Sequence, residues 1–576
     1  MLDLVVQRIH ESGFLASIDG KNIEASQVGL PNLDYEALVA SFAYHIQTIT
    51  NLIRAVGSRS PTILNTQSSQ SHSMDAPASK SLKAINASNT RGDNSADSIR
   101  HVLLRICHAV LAAEQPTNQD VETHHETVLV CVQLLTVVIP SLANDVHASL
   151  ILRIALIKSL NRSLDDRATK LTISLSEALK LLLETIDTGP IDQVESDARP
   201  ASADHQDLKG NDEKLSQDPD RSDGALISCL THGFDMIEDS NVLEQWVQLL
   251  ELLIPSHQGS IFQVLLPLVD CLITSITRLF EEVQSCFGDA ESTLVAGGDP
   301  LQRLNLLFNA LELLLAKGHD QISKDEAKKL NLPEPSQGYL GNMVTGLFTT
   351  EAQPTRPATA NDRLSVLLCF RDSVKISYRI WSWDSDSSKT LGTDPGVAAS
   401  FNYVSVRLRN RSRRILDNLF GAEILECLEV IVELWAKSPA ASMGTVNVLH
   451  ALEATRPKYT MPTMFNALYS RTNPAVLDAF RQSTLTLDIS EIQLARFLLA
   501  YTRSIDDDAL DEVWVDCVAF TREVLSNPMP QRQILPFLLE FISVLSIKIE
   551  NTNFGELRRM RRDIGVSLLH RVVEIC

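Results

Sequence analysis

An all-α fold, an irregular HEAT- or armadillo-like α-solenoid, is what this sequence predicts, and three observations predict it. Apolar residues recur at helical spacing along almost every segment. The period-two alternation that marks strands is almost absent. Hydrophobic residues make up 44% of the chain but aromatics only 5%, and the apolar mass is carried by Leu, Ile, Val and Ala, as packed helices require. At 576 residues the chain is too long for one compact core, and an elongated array buries this apolar mass without one. No repeat length is strict enough to count units, so an irregular helical bundle is the other arrangement the periodicity allows.

In chain order, residues 1–56 read as a helical segment. Residues 57–96, rich in Ser, Asn, Gln and Thr around Ser68-Ser69-Gln70-Ser71, hold too few apolar side chains to offset their ordering entropy and read as a disordered linker. Residues 97–187 form a helical array. Residues 188–223 combine Pro190, Pro200 and Pro219 with ten acidic and four basic residues, and read as an acidic disordered linker. Residues 224–576 are the C-terminal α-solenoid. Within it Leu243, Trp246, Val247, Leu249, Leu250 and Leu253 line one face before Pro255, and Ile261, Leu265, Leu268, Val269, Leu272 and Ile276 follow it. So short a joint predicts an antiparallel hairpin about Pro255. The plan recurs in residues 513–525, 534–549 and 554–575, separated by Pro528-Met529-Pro530 and Asn551-Thr552-Asn553.

The net charge of -21 and pI near 5.1 set the mean field against a nucleic-acid phosphate backbone, so no nucleic-acid partner is expected and any anionic surface must meet a local basic patch. Nine scattered cysteines, from Cys107 to Cys576, have neither a C-x-x-C pair nor zinc-ligand spacing, which predicts reduced thiols in a cytoplasmic compartment. The N-terminus lacks the layout of a signal peptide. The most apolar stretches, residues 127–143 and 260–276, are broken by Gln133 and Pro140 and by Gln263, Pro267 and Asp270, so membrane contact is expected to be peripheral.

Neither a dinucleotide or P-loop fingerprint nor a nucleophile elbow or H-E-x-x-H motif occurs, so the reading is no enzyme, no catalytic residue, no cofactor and no metal. The weak candidates have plainer accounts. His124-His125-Glu126 lacks a third ligand one turn on and reads as the first turn of a helix. Asp506-Asp507-Asp508 follows Ser504 at a helix start, where carboxylates meet the positive dipole end. Trp381 and Trp383 read as packing anchors. Two basic clusters stand out. Phe401, Val404, Leu408, Ile415 and Leu419 form one buried seam, which Arg407, Arg409, Arg411, Arg413 and Arg414 are expected to flank, paired to acids such as Glu423, Glu426 or Glu429. In the last helix the stripe Phe554, Leu557, Met560, Ile564, Leu568, Val572 and Ile575 throws Arg558, Arg559 and Arg562 onto the solvent face, a possible anionic-surface contact.

Several runs resemble the C-terminal region of fungal Dopey proteins. They are Gly338-Tyr339-Leu340-Gly341-Asn342-Met343-Val344-Thr345-Gly346-Leu347-Phe348, Asn361-Asp362-Arg363-Leu364-Ser365, Arg409-Asn410-Arg411-Ser412-Arg413-Arg414, Leu425-Glu426-Cys427-Leu428-Glu429, and Asn551-Thr552-Asn553-Phe554-Gly555-Glu556 with Arg558-Arg559-Met560-Arg561-Arg562. The likeness is patchy before Ala225 and strongest over residues 338–437 and 514–575. These are packing sequences rather than catalytic motifs. The resemblance implies a scaffold that is peripheral on Golgi and endosomal membranes and required for cell morphogenesis. It also implies two partners, a large Arf-exchange-factor-like protein and an aminophospholipid flippase. Dopey chains are far longer and begin with an N-terminal domain without counterpart here, which implies a fragment or a shortened gene model. The composition alone also suits an acidic adaptor or nuclear-transport-type protein that binds basic segments.

Limited proteolysis is expected to cut first within residues 57–96 and 188–223, which lack core-forming side chains. Protection of both stretches under conditions that cleave elsewhere would remove this division.

Overall fold

The computed structural model describes residues 35–57, 98–113, 121–143, 145–187, 219–256, 261–288, 300–330, 360–383, 395–437 and 442–551 except 479, 480 and 486, together with Ser60, Leu64 and Arg562. Among the described residues every regular element is helical, with seventeen α-helices and short 3-10 turns, which establishes the all-α helical-repeat class. The chain divides into two compact units, Met1–His257 and Gln258–Cys576.

In the first unit the helices are α1 (Tyr35–Val56), α2 (Ile99–Ala112), α3 (Val121–Val138), α4 (Val146–Asp165), α5 (Thr169–Asp187), α6 (Pro219–Met236) and α7 (Ser240–Ser256). Local chemistry sets their ends. α1 stops before Gly57, whose φ of 60° is the left-handed conformation that closes a helix. Asp145 caps α4 by accepting a hydrogen bond from the Ala148 N–H at 3.1 Å. At the other end of α4 Arg167 takes φ 53°, and the amides of Arg167 and Ala168 return to the carbonyls of Leu164 and Ser163, so the turn into α5 satisfies its own backbone.

Packing is nearest-neighbour and two-layered. α1, α3, α5 and α7 stack successively in one layer, α2, α4 and α6 in the other, and the pairs α2/α3, α4/α5 and α6/α7 are hairpins between layers. That is the repeat logic of an α-solenoid, in which each hairpin buries its apolar faces only against its neighbours. With its 3-10 extension α3 runs Val121–Leu142, and its most apolar 18-residue window makes it long and apolar enough by composition to cross a membrane. This revises the expectation drawn from Gln133 and Pro140. Half of the stretch is buried against neighbours that include α1, α2 and α5, the setting of a core helix.

The second unit holds α8 (Ile261–Gly288), α9 (Pro300–Leu330), α10 (Ala360–Trp381), α11 (Pro395–Ala422), α12 (Ile424–Lys437), α13 (Ser442–Ala451), α14 (Pro457–Thr472), α15 (Glu491–Ser504), α16 (Leu510–Ser526) and α17 (Leu535–Asn551). α8, α10, α12, α14 and α16 stack in one layer, and α9/α11 and α13/α15/α17 lie in the other. α8 runs through Pro267, whose missing N–H and exposed ring are accommodated on the solvent side. α15 opens with a full capping box between Ser490 and Gln493.

The boundary between units falls at His257 and Gln258, so α7 closes the first unit and α8 opens the second. One sequence expectation changes. α6 begins at Pro219, inside the stretch read as linker, where proline suits the first turn of a helix. The expected helix over residues 554–575 lies outside the described residues, apart from Arg562.

Gly233 in α6 is the tightest point of the first unit. Trp246 of α7 is fully buried and donates its indole N–H to the Leu230 carbonyl at 3.1 Å, and a Cβ on Gly233 would lie 2.2 Å from the indole ring. The ring is rigid and anchored, so the hairpin must open to admit a methyl group. Gly233→Ala is expected to lower stability by about 2 kcal/mol or more despite the higher helix propensity of alanine, as read by thermal or urea melts followed by circular dichroism. Unchanged stability would show that α6 and α7 can slide apart freely.

Candidate functional site

Of the three arginines assigned to an anionic contact, Arg562 is exposed, and Arg558 and Arg559 lie outside the described residues. Among the described residues no group of three or more His, Cys, Asp or Glu side chains converges to hold a metal ion, and the eight described cysteines are free thiols. His124 and His125 sit in the first turn of α3, with His125 Nε2 3.0 Å from Asp166. Burial, followed by the charges of His125 and Arg162, lowers the His124 pKa. Asp507 accepts a hydrogen bond from Lys548 at 2.8 Å and so ties the turn before α16 to α17. Trp383 is a packing anchor, edge-on to Phe280 and Phe401 at 5.3 and 5.1 Å, whereas Trp381 stacks on Tyr378 and carries the Arg409 guanidinium over its ring.

The arginines of α11 divide in a way that helical spacing alone could not assign. Arg411 pairs with Glu312 of α9 and also donates to Asn309, holding α11 to its neighbour. Arg407, Arg413 and Arg414 are exposed instead. Arg407 donates to the Tyr403 hydroxyl at 2.9 Å, and no ion pair engages Arg413 or Arg414 among the described residues. The acids expected to neutralise this cluster are committed elsewhere.

Those acids form the densest polar network of the second unit. Glu423, Glu426, Glu429 and Glu433 recur at helical spacing along α12 and the residue before it, turned inward rather than to solvent. α12 packs on α10, α11, α13, α14 and α15, so these carboxylates lie at a crossing of five helices. Glu423 meets Arg363 of α10 at 3.1 Å and His319 of α9 at 3.3 Å. Burial alone would raise its pKa, but the His319 hydrogen bond and the Arg363 charge outweigh that and hold it below the usual carboxylate value. Glu433 behaves alike. Burial is offset by Lys437 and by Lys375 of α10, the latter at 3.3 Å, and the carboxyl stays low.

Glu429, fully buried, accepts from Arg471 of α14 and from the Ser483 hydroxyl at 2.8 Å. Glu426 accepts from the Thr484 N–H at 3.2 Å. Ser483 and Thr484 belong to the irregular connection between α14 and α15, which has little secondary structure of its own to satisfy its backbone. Arg471 also donates to the Ile489 carbonyl at 3.0 Å, so carboxylates and guanidinium together fasten that connection to the helices. Among the described residues no cation forms an ion pair with Glu426. Burial and then the negative charge of Glu423 push its pKa up to about 7. The network braces the fold.

Repeating hairpins of this kind define an all-α helical-repeat protein. A family model described as DOP1 C-terminal matches residues 497–574. Protein dop1 of Emericella nidulans is 44% identical over 353 residues, 61% of this chain and 19% of that protein. Protein DOP1 of Saccharomyces cerevisiae is 26% identical over 357 residues, 59% of this chain and 20% of that protein. The Dopey resemblance read from the sequence is borne out by these matches. The chain spans about one fifth of the length of these relatives. Among solved structures a circular tandem repeat protein aligns over 100% of this chain and 94% of its own, at 10% identity and a TM-score of 0.22, too low to indicate a shared arrangement.

Glu426 makes the network pH-sensitive in a defined direction. Its folded pKa lies above the ordinary carboxylate value, so between that value and about 7 the folded protein keeps a proton that the unfolded chain has released. The contribution of Glu426 to stability is therefore present in acid and lost as pH rises through 7. Glu426→Gln, which keeps the acceptor for Thr484, is expected to raise the melting temperature by roughly a few degrees at pH 8, with the gain shrinking toward pH 5. A gain independent of pH would show that Glu426 does not titrate there.

Proposed function

We propose that this chain is a non-catalytic helical scaffold in Golgi and endosome membrane trafficking and cell morphogenesis. The observation that carries the reading is the 44% identity to Protein dop1 over 353 residues, joined to a fold whose hairpins offer long helix faces. The partners expected of such a scaffold are a large Arf-exchange-factor-like trafficking protein and an aminophospholipid flippase. Its expected place is the cytoplasmic side of Golgi and endosomal membranes, held peripherally. Arg558, Arg559 and Arg562 are assigned to anionic lipid headgroups, with exposure of Arg562 in support. Each arginine near a negatively charged bilayer contributes about 1 kcal/mol, which is enough for weak, salt-sensitive attachment that partners reinforce.

The test is affinity capture from fungal cytosol and detergent-solubilised membranes, together with liposome sedimentation at low salt. Recovery of an Arf-exchange-factor-like protein and a flippase supports the scaffold reading. Capture dominated by proteins with basic segments favours the acidic adaptor reading instead. Replacing Arg558, Arg559 and Arg562 by Gln is expected to weaken binding to phosphatidylserine vesicles by roughly two orders of magnitude with the fold intact. Undiminished vesicle binding would remove the lipid role.

A further inference from the structure

We infer that the outer face of α11 is a docking site for an acidic protein segment. Tyr403, the adjacent pair Val406 and Arg407, Asn410 and Arg414 succeed one another three or four residues apart, turn by turn, and Arg413 lies at their edge. They form one stripe along the helix, and all six are exposed. The two hydrophobic members are unusually open, Tyr403 at 62% and Val406 at 53%. Among the described residues Arg413 and Arg414 have no ion pair, and Arg407 meets only the neutral Tyr403, at its hydroxyl and over its ring. Asp417, the acid one turn beyond, is committed to the Ala454 N–H at 2.8 Å. Three guanidinium groups left without carboxylates in a chain of net charge -21 are a local exception to its field, and their complement is anionic.

The dimensions select the occupant. From Tyr403 to Arg414 the stripe is about 16 Å long and one helix wide, which matches a single docked segment rather than a bilayer plane. A bilayer of anionic lipid would also bring its surface charge against the acidic remainder of the chain. Arg407 and Arg414 are two turns apart, about 10 Å, the spacing of carboxylates seven residues apart on a facing helix. Guanidinium groups grip carboxylates through two parallel hydrogen bonds, and Tyr403 with Val406 offers a seat for one apolar side chain beside them. The Glu312 contact of Arg411 holds the helix so that these groups are presented in a fixed register. This inference does not depend on the trafficking reading.

The experiment uses the full chain and a fluorescently labelled helical peptide with glutamates seven residues apart and a leucine one turn away, read by anisotropy at low salt. The expected result is saturable binding that weakens with added salt, and that weakens about tenfold or more in the Arg407→Gln, Arg413→Gln, Arg414→Gln variant. Asn410→Glu places a negative charge in the middle of the face while keeping all three arginines, and should weaken binding as well. Circular dichroism of both variants separates loss of the face from loss of the fold. No binding by the unaltered chain, or equal binding by folded variants, overturns the inference. So does a preference for phosphatidylserine vesicles that depends on the same three arginines.

Discussion

Three buried carboxylates on α12, with Glu423 just before it, are the constraint around which the second unit is arranged. A charge removed from water costs several kcal/mol unless hydrogen bonds and counter-charges replace its hydration. α12 cannot avoid that cost, because it is crossed by α10, α11, α13, α14 and α15. The neighbours therefore supply what the solvent cannot. α9 and α10 bring His319, Arg363 and Lys375, α14 brings Arg471, and the irregular connection after α14 contributes the Ser483 hydroxyl and the Thr484 amide. The carboxylates gain partners, and a connection without its own ladder of hydrogen bonds gains a fixed course. Removing one partner, such as Arg471, would leave Glu429 buried and unpaired, whereas a coordinated apolar replacement of both could be tolerated. The network thus specifies which helices lie together more than it adds to their net stability.

The same accounting separates two kinds of arginine. Arg363, Arg411 and Arg471 are turned toward acids on neighbouring helices and hold those helices in place. Arg407, Arg413 and Arg414 lie on the outer side of α11 with no such acid among the described residues. In a strongly acidic chain, cations spent inside the array are expected and cations left outside are informative, because neutralisation was available and was not used.

Much of the fold was legible because helical arrays are built from local signals. Apolar periodicity located α7 and α8 closely, and Gly57, Asp145 and the Ser490/Gln493 pair mark helix ends through interactions within a few residues. Features that depend on distant partners were not legible. The spacing of Glu423, Glu426, Glu429 and Glu433 stood in the sequence, but a row of glutamates along a helix ordinarily faces water, and nothing local indicates that Arg471 and Thr484 will meet it. Helical phase likewise placed the α11 arginines along the edges of a seam, yet which of them found acids depended on Glu312 nearly a hundred residues away.

A repeat array distributes stability and recognition differently from a single-core protein. Each hairpin is supported mainly by its neighbours, so a local defect such as a crowded Gly233 acts on α6 and α7 before it acts on distant helices. Outer faces can vary as long as the inward seams are kept. α11 shows how both demands meet in one helix. Phe401, Leu408, Ile415, Leu416 and Leu419 are buried on one side, Arg411 reaches laterally to α9, and the remaining side is free of structural duty. A partner meeting that side encounters side chains on a rigid helix whose position is already determined by the core. Less conformational entropy is then lost on association than with the same arginines on a loop, and three modest ion pairs can yield a specific contact. The buried carboxylates of α12 matter for this as well, because α11 packs directly on the helix that carries them. The acids that fix the interior of the unit also fix the geometry of the basic face outside it.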